Sequence, residues 1–256
     1  MENGAVLRYT IFYPGGNTTA LVEAPKGNGL ASIAKRIMET DPAIEQVGFL
    51  FPSASSAFKL QMMGGEFCVN AARCAAHQWF SVNSGDEVEF EVSGLSSPVK
   101  ARLEDMVIHL HLPSSLIKSI SEIPEGHLVN MEGISFIVSD SVTVDSRDIV
   151  TKFSESNPAV GVIKVSSEDG IFSIEADVWV KETDTFISET GCGSGSIAAY
   201  LACHGVGKKG FVQQPSGYDY AINVRSENEI VISGIIEDKG EGEVLMTLER
   251  EYAASV

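Results

Sequence analysis

Basic side chains are scarce in this chain. Lys and Arg together number 18 against 35 Asp and Glu, a formal net charge of -17, and no run of Lys or Arg exceeds a pair. Such a chain repels polyanions, so neither nucleic acid nor an anionic membrane surface is an expected partner. No apolar run approaches membrane-spanning length, and Met1-Glu2-Asn3-Gly4 leads into a strand without a basic n-region or apolar h-region. The expectation is a soluble, cytoplasmic protein. Cysteine is down to four, with no Cys-x-x-Cys, and the five-residue gap from Cys68 to Cys74 is not a usual zinc spacing. A disulfide scaffold is therefore not expected. Gly193-Ser194-Gly195 has no P-loop lysine after it and a loop rather than a strand before it, so a nucleotide cradle is not expected either. The chain also shows no phosphate cradle or flanked Schiff-base lysine of the kind pyridoxal phosphate needs, and the expectation is an enzyme without a cofactor. His109 and His111 share one face of a strand, but no third ligand is spaced to join them, so no metal is expected.

What is present is an ordinary globular composition: 256 residues, 44% hydrophobic and 21% charged. That length fills one large core or two of about a hundred residues each. Period-2 alternation predicts strands over 5–13 and 18–23, joined through the turn Pro14-Gly15-Gly16-Asn17. A helical stripe of Leu30, Ile33, Ala34, Ile37 and Met38 follows, ending at Asp41-Pro42. Strands are then expected over 45–51, 57–63, 87–92, 99–103 and 107–112. The stretch from Pro113 to Gly126, polar at first and with two prolines, reads as a linker between domains. Beyond it come strands within 127–138, a helix over 146–153 capped by Asp145 or Ser146, and strands over 160–165 and 171–180. Four more strand-like runs cover 210–214, 220–225, 229–234 and 243–249. The order strand, helix, strands, thiol, strands thus occurs twice.

The thiols give that repetition its chemical content. Gly64-Gly65-Glu66-Phe67-Cys68-Val69-Asn70 and Ser188-Glu189-Thr190-Gly191-Cys192-Gly193-Ser194 each place a Glu and then a Cys just before a small-residue segment that reads as a helix, over about 70–80 and 194–204. A thiol at a helix start faces unpaired N–H groups and the positive end of the helix dipole, an environment expected to favour thiolate. Two such thiols, one per half, suit a reaction in which one group removes a proton and the other supplies one. Cys74 and Cys203 lie further along the same helices and are expected in the core. Glu66 and Glu189 are both explicable as acids near helix starts. Asn17 suits a turn, and Asn157, before Pro158, suits another.

Cys68-Val69-Asn70, Cys192-Gly193-Ser194-Gly195, Pro14-Gly15-Gly16-Asn17, Glu45-Gln46-Val47-Gly48-Phe49 and Gln214-Pro215 together resemble the diaminopimelate epimerase superfamily of cofactor-independent, two-cysteine racemases and epimerases. Within it the likeness is greatest to the histidine racemases of staphylopine-type metallophore synthesis. The resemblance spans nearly the whole chain. It implies an α+β fold of two pseudo-symmetric domains, each a mostly antiparallel, barrel-like sheet around a central helix. The first would cover 1–114 and carry Cys68, with 242–256 a candidate to rejoin it; the second would cover 115–241 and carry Cys192. It implies Cys68 and Cys192 as the acid/base pair acting on a small amino acid. Substrate contacts would come from Asn17, Gln46, Val69, Asn70, Asn157, Glu189, Gly193 and Ser194, with Glu189 binding the substrate ammonium or tuning Cys192. A homodimer is compatible with it.

Val69 departs from the pattern, since the family usually has Gly there. A second departure bears on substrate. Diaminopimelate epimerase itself carries an Arg after a Glu ahead of the second thiol, and Val180-Lys181-Glu182-Thr183-Asp184 puts Thr183 at that place, between two acids. A neutral or basic substrate side chain, histidine above all, is expected to fit better than a second carboxylate. Diaminopimelate epimerase or a related isomerase remains the alternative enzyme, and a thiol redox or zinc-binding protein the alternative outside enzymes.

Overall fold

The computed structural model describes residues 4–25, 29–140, 145–155, 157–225 and 229–247. Its first half runs β1 (Gly4–Tyr13), β2 (Thr19–Glu23), α1 (Leu30–Thr40), β3 (Gln46–Phe51), β4 (Lys59–Met62), α2 (Val69–Val82), β5 (Glu87–Val92), β6 (Val99–Glu104) and β7 (Val107–Pro113). The second half runs β8 (Ile117–Ile123), β9 (Gly126–Met131), β10 (Ile134–Ser139), α3 (Ser146–Phe153), β11 (Ala159–Glu168), β12 (Ile171–Val180), β13 (Thr185–Glu189), α4 (Gly193–His204), β14 (Lys209–Gln213), β15 (Asp219–Val224), β16 (Glu229–Ile235) and β17 (Glu237–Thr247). The result is a mixed α+β fold dominated by β-structure. No helix among the described residues is long and apolar enough to cross a membrane.

Strand pairing follows one scheme in both halves. In the first, β17, β1 and β2 pair antiparallel, β2 and β3 parallel, β3 and β4 antiparallel, β4 and β5 parallel, and β5 to β7 antiparallel. In the second, β8, β9 and β10 pair antiparallel, β10 and β11 parallel, β11 and β12 antiparallel, β12 and β14 parallel, and β14 to β16 antiparallel. The extra strand β13 lies antiparallel on the last half of β12. β7 and β16 join the halves, in register from Val107↔Ile235 to Pro113↔Glu229. The eighth strand of the first set comes from the far end of the chain, where β17 returns to β1 from Glu237 opposite Tyr13 to Thr247 opposite Gly4. It starts six residues earlier than its hydrophobic pattern suggests; residues 248–249 of the expected run, and the rest to 256, lie outside the described residues.

The segment expected to be a linker is structured. Ser114–Leu116 forms one 3-10 turn with Leu116 fully buried, and Ile117–Ile123 is β8, whose backbone pairs with β9. Five consecutive side chains of β8 are exposed, which is why its composition resembles a linker.

The four α-helices among the described residues divide into two kinds. α1 and α3 are amphipathic and lie outside: α1 buries Ile33, Ala34 and Ile37, while α3 buries Ile149 and Val150 and is capped by Asp145, which accepts from Arg147 N–H at 2.8 Å. α2 and α4 are buried from their first residues, Val69 to Ala76 and Gly193 to Leu201. They pack against each other, and both contribute to one core drawn from both halves. Both helices are enclosed through their first two turns, and these two carry the thiols.

Candidate active site

Cys68 and Cys192 are the N-caps of α2 and α4. Their backbones match, φ -130°, ψ 116° for Cys68 and φ -127°, ψ 101° for Cys192. Each sulfur accepts from the N–H three residues on, Ala71 at 3.5 Å and Gly195 at 3.3 Å. Both thiols line one cavity between the halves, together with Asn17, Gln46, Glu189, Gly193 and Ser194. All four cysteines are unpaired. Cys74 is fully buried as expected, whereas Cys203 is exposed because the last turn of α4 emerges from the core.

A hydrogen-bond chain fixes the first thiol. Cys68 Sγ donates to Gln46 Oε1 at 2.9 Å, Gln46 Nε2 donates to Thr19 Oγ1 at 2.7 Å, and Thr19 Oγ1 donates to the Asn17 carbonyl at 2.9 Å. The second thiol is held through its backbone, Cys192 N–H donating to Gln214 Oε1 at 2.9 Å, while Gln214 Nε2 donates to Ser196 Oγ and the Val212 carbonyl. The two helix starts touch: Val69 N–H donates to Ser194 Oγ at 3.3 Å, and Asn70 Nδ2 to the Gly191 carbonyl at 3.0 Å. A Cβ on Gly193 would stand 2.6 Å from Val69 Cγ1 and 2.9 Å from Asn70 Oδ1, so only Gly admits this approach. Val69 and Asn70 thus lie behind the cavity, fully buried. Asn157 lies outside the cavity lining: its amide donates to the Phe153 carbonyl at 2.9 Å and its Oδ1 accepts from Ser135, which holds the turn between α3 and β11.

The electrostatics reverse one expectation. Burial pushes both thiols well above the ordinary thiol range; the Glu189 charge adds to it, and the N–H groups of Ala71 and Gly195 oppose it. A helix terminus contributes on the order of 1 kcal/mol, while full desolvation moves a group by several pKa units, so burial prevails. Glu189 is itself pushed up to about 8, first by burial and then by Glu45 and Glu66, against hydrogen bonds from Cys192 and Asn17. Its Oε2 is fully enclosed without a partner, as is Asn17 Oδ1. Glu66 does not cap α2. Its carboxylate turns back to accept from Gly64 N–H at 2.9 Å, lines the cavity, and is raised by burial.

The lining also includes Ile134 and Phe136 from β10, Val178 and Val180 from β12, and Thr185 and Ile187 from β13, mostly apolar side chains. Lys181, Glu182 and Asp184 are exposed and outside the lining, so the acidic character of the cavity comes instead from Glu45, Glu66 and Glu189. Among the described residues, no Lys, Arg or His lines it.

Three further residues had no role predicted from sequence. Glu45 accepts from Thr190 N–H at 2.9 Å and Thr190 Oγ1 at 2.6 Å, tying the halves together at the cavity. Gln214 fixes the cap of α4, as above. Arg73 is fully buried, donates to Asn70 Oδ1 at 3.3 Å and the Ile235 carbonyl at 3.5 Å, and lies 4.8 Å from the Tyr220 ring centroid. Among the described residues no carboxylate pairs with it. Its signal was in the sequence, as the one charged residue in the small, apolar first half of α2.

With this geometry, comparison with known proteins is decisive. The family described as histidine racemase CntK N-terminal domain matches residues 6–244. The chain belongs to the histidine racemase family. A histidine racemase of Fusobacterium nucleatum is 29% identical over 266 aligned positions, covering 93% of this chain and 97% of the relative. Solved structures share the fold at lower identity. A phenazine biosynthesis PhzF-family protein of Enterococcus faecalis has a TM-score of 0.61 at 18% identity, covering 94% of this chain and 99% of that one. A hydroxyproline epimerase of Agrobacterium vitis has a TM-score of 0.64 at 13% identity, covering 96% and 94%. Membership of the family makes this protein an isomerase of the amino-acid racemase class.

Proposed function

We propose that the protein racemises histidine by a two-thiol mechanism, with Cys68 and Cys192 acting on opposite faces of the substrate α-carbon. The observation that carries this reading is the matched pair of cysteine N-caps on one cavity. One sulfur, as thiolate, takes the α-proton; the carbanion's charge spreads into the carboxylate; the other thiol gives its proton to the opposite face. The two sulfurs finish with their roles exchanged, and the reverse reaction restores them. The substrate carboxylate is placed at the starts of α2 and α4, where N–H groups and Ser194 Oγ are close at hand and the developing charge is stabilised by fixed donors. Gly193 keeps that approach open, Asn70 and Val69 set its floor, and Gln46 orients Cys68. The ammonium is assigned to Glu189 and Asn17, whose enclosed, unpartnered oxygens call for donors.

Diaminopimelate fits poorly. Its second carboxylate would enter a cavity with three glutamates and no lining cation, and an unpaired buried charge costs several kcal/mol. We further assign two pseudo-symmetric domains, 1–114 rejoined by the C-terminal strand from 237 and 115–236, each with its sheet around one thiol helix; the repeated pairing scheme supports this. Four unpaired cysteines agree with a reducing cytoplasm. Incubation with L-histidine in deuterated water, without added cofactor, should yield D-histidine carrying deuterium at the α-carbon. Higher kcat/KM with diaminopimelate would overturn the substrate assignment, and no α-proton exchange with any amino acid would overturn the racemase reading.

A further inference from the structure

We propose that Glu66 reads the substrate side chain, accepting an N–H from the imidazole at the end of the cavity walled by β10 and β12. The inference rests on the racemase reading above and adds a specificity-determining residue to it. Three carboxylates face the cavity. Glu45 is occupied by Thr190, which donates to both of its oxygens. Glu189 sits beside Cys192 and Asn17, where the ammonium belongs. Glu66 is left, 6% exposed, with Gly64 N–H on Oε2 and no Lys, Arg or His against it among the described residues.

Its place in the cavity decides what it can bind. A Cβ on Gly64 would lie 2.8 Å from Glu66 Oε2 and 2.2 Å from Val180 Cγ1, so the carboxylate sits against the end of β12. Val180 is apolar, and Thr185, opposite it on β13 and also lining the cavity, has its hydroxyl engaged with Thr183 at 2.8 Å. The Gly64 N–H and Glu66's own N–H leave acceptor capacity on the carboxylate, and a substrate N–H entering this end can use it. With Cα between the thiols and the ammonium at Glu189, the side chain is the part of the substrate that remains to reach it. A flat ring between apolar walls with an N–H at its edge suits this end; an acidic side chain is repelled, and an aliphatic one leaves the carboxylate unpaired.

The test compares wild type, Glu66→Gln and Glu66→Ala on histidine, the two ring N-methylhistidines and alanine. Turnover is followed by α-proton exchange and affinity by calorimetry. Wild type should bind histidine at least tenfold more tightly than one of the N-methyl isomers, the one lacking the N–H that Glu66 accepts. Both substitutions should raise KM and Kd for histidine about 10- to 100-fold, the range for a hydrogen bond to a charged group. They should erase the preference over the methylated ring and lower histidine exchange at least tenfold more than alanine exchange, the change common to both substrates being the effect of removing a charge beside Glu189 and Cys68. Loss of equal size on histidine and alanine, or histidine affinity unchanged in both variants, overturns the proposal. If wild type exchanges no α-proton, the racemase reading fails instead, and calorimetry still decides whether Glu66 discriminates the imidazole.

Discussion

Replacing Glu189 with Gln should make the protein more stable while stopping catalysis. The carboxyl group titrates near 8 in the folded chain against an ordinary 4.5, mainly through burial. The sign follows from proton uptake. Between those two values the folded state holds a proton that the unfolded chain has released, so stability falls as pH rises through the window. At roughly 1.4 kcal/mol per pH unit, the native state is weakened by about 3 kcal/mol at pH 7 relative to pH 4.5, and no further above pH 8. Gln keeps the shape without the charge, so the variant should unfold about 6–12 °C higher at pH 7, a range set by roughly 2–4 °C per kcal/mol. The assay is thermal unfolding of both proteins from pH 4.5 to 9. Their difference should be small at the acid end, widen towards pH 8 and then level off. Subtracting the two curves cancels the carboxylates remote from the site and leaves Glu189 with its coupled neighbours Glu45 and Glu66. A difference that stays flat across the window would refute the argument, because the charge on Glu189 would then cost the fold nothing. Racemisation by the variant at more than a tenth of the wild-type rate would refute its assignment to the ammonium.

Cys68→Ser and Cys192→Ser should each lower histidine racemisation by about 10²- to 10⁴-fold, the usual contribution of one acid or base, while Cys74→Ser and Cys203→Ser keep most of it by chiral chromatography. Gly193→Ala should cost at least roughly tenfold in kcat/KM, because its Cβ would stand 2.6 Å from Val69 Cγ1. Adding Val69→Gly should restore much of the loss; a double variant no better than the single one would show that Val69 is not the obstacle. Arg73→Met should lower kcat about 10- to 100-fold by freeing Asn70, yet leave the melting temperature within a few degrees, since a buried unpaired cation is a weak stabiliser. Melting that collapses in step with activity would make Arg73 a structural residue only.

The strands were legible where one face is buried and the other is not. In β7, Ile108, Leu110 and Leu112 point into the core while His109 and His111 point outward, the alternation their sequence shows. The outward histidines bond Ser233 at 2.7 Å and Glu229 at 2.9 Å across the joint between the halves. β8 was illegible because its exposed side chains carry no alternation and only pairing to β9 makes it a strand. The thiol helices were legible from their small residues, but the turn at which α4 leaves the core was not, and Cys203 was misplaced by it. In the site, the repeated local context singled out the two thiols with Glu66 and Glu189, while Gln46 was reached only through the family resemblance. The bonds from Glu45 to Thr190 and from Gln214 to Cys192 span 145 and 22 residues, and no local pattern announces them.

The thiol protonation is the most instructive departure. A helix start alone predicts thiolate, and the enclosed site with its glutamates predicts the reverse. On the two-thiol reading the chemistry needs one sulfur ionised, so the missing positive charge must arrive with the substrate. An ammonium set beside Glu189 brings a positive charge next to both sulfurs and offsets the carboxylate that, when ionised, most strongly opposes their ionisation after burial itself. Ionisation of the base is then tied to occupancy, and an empty site keeps both sulfurs neutral and poorly reactive towards oxidants. Cys68 and Cys192 should accordingly resist alkylation in the free protein and react faster when a non-reacting amine fills the ammonium position. Equal alkylation rates with and without the amine would separate the two events and return the thiolate to the helix ends.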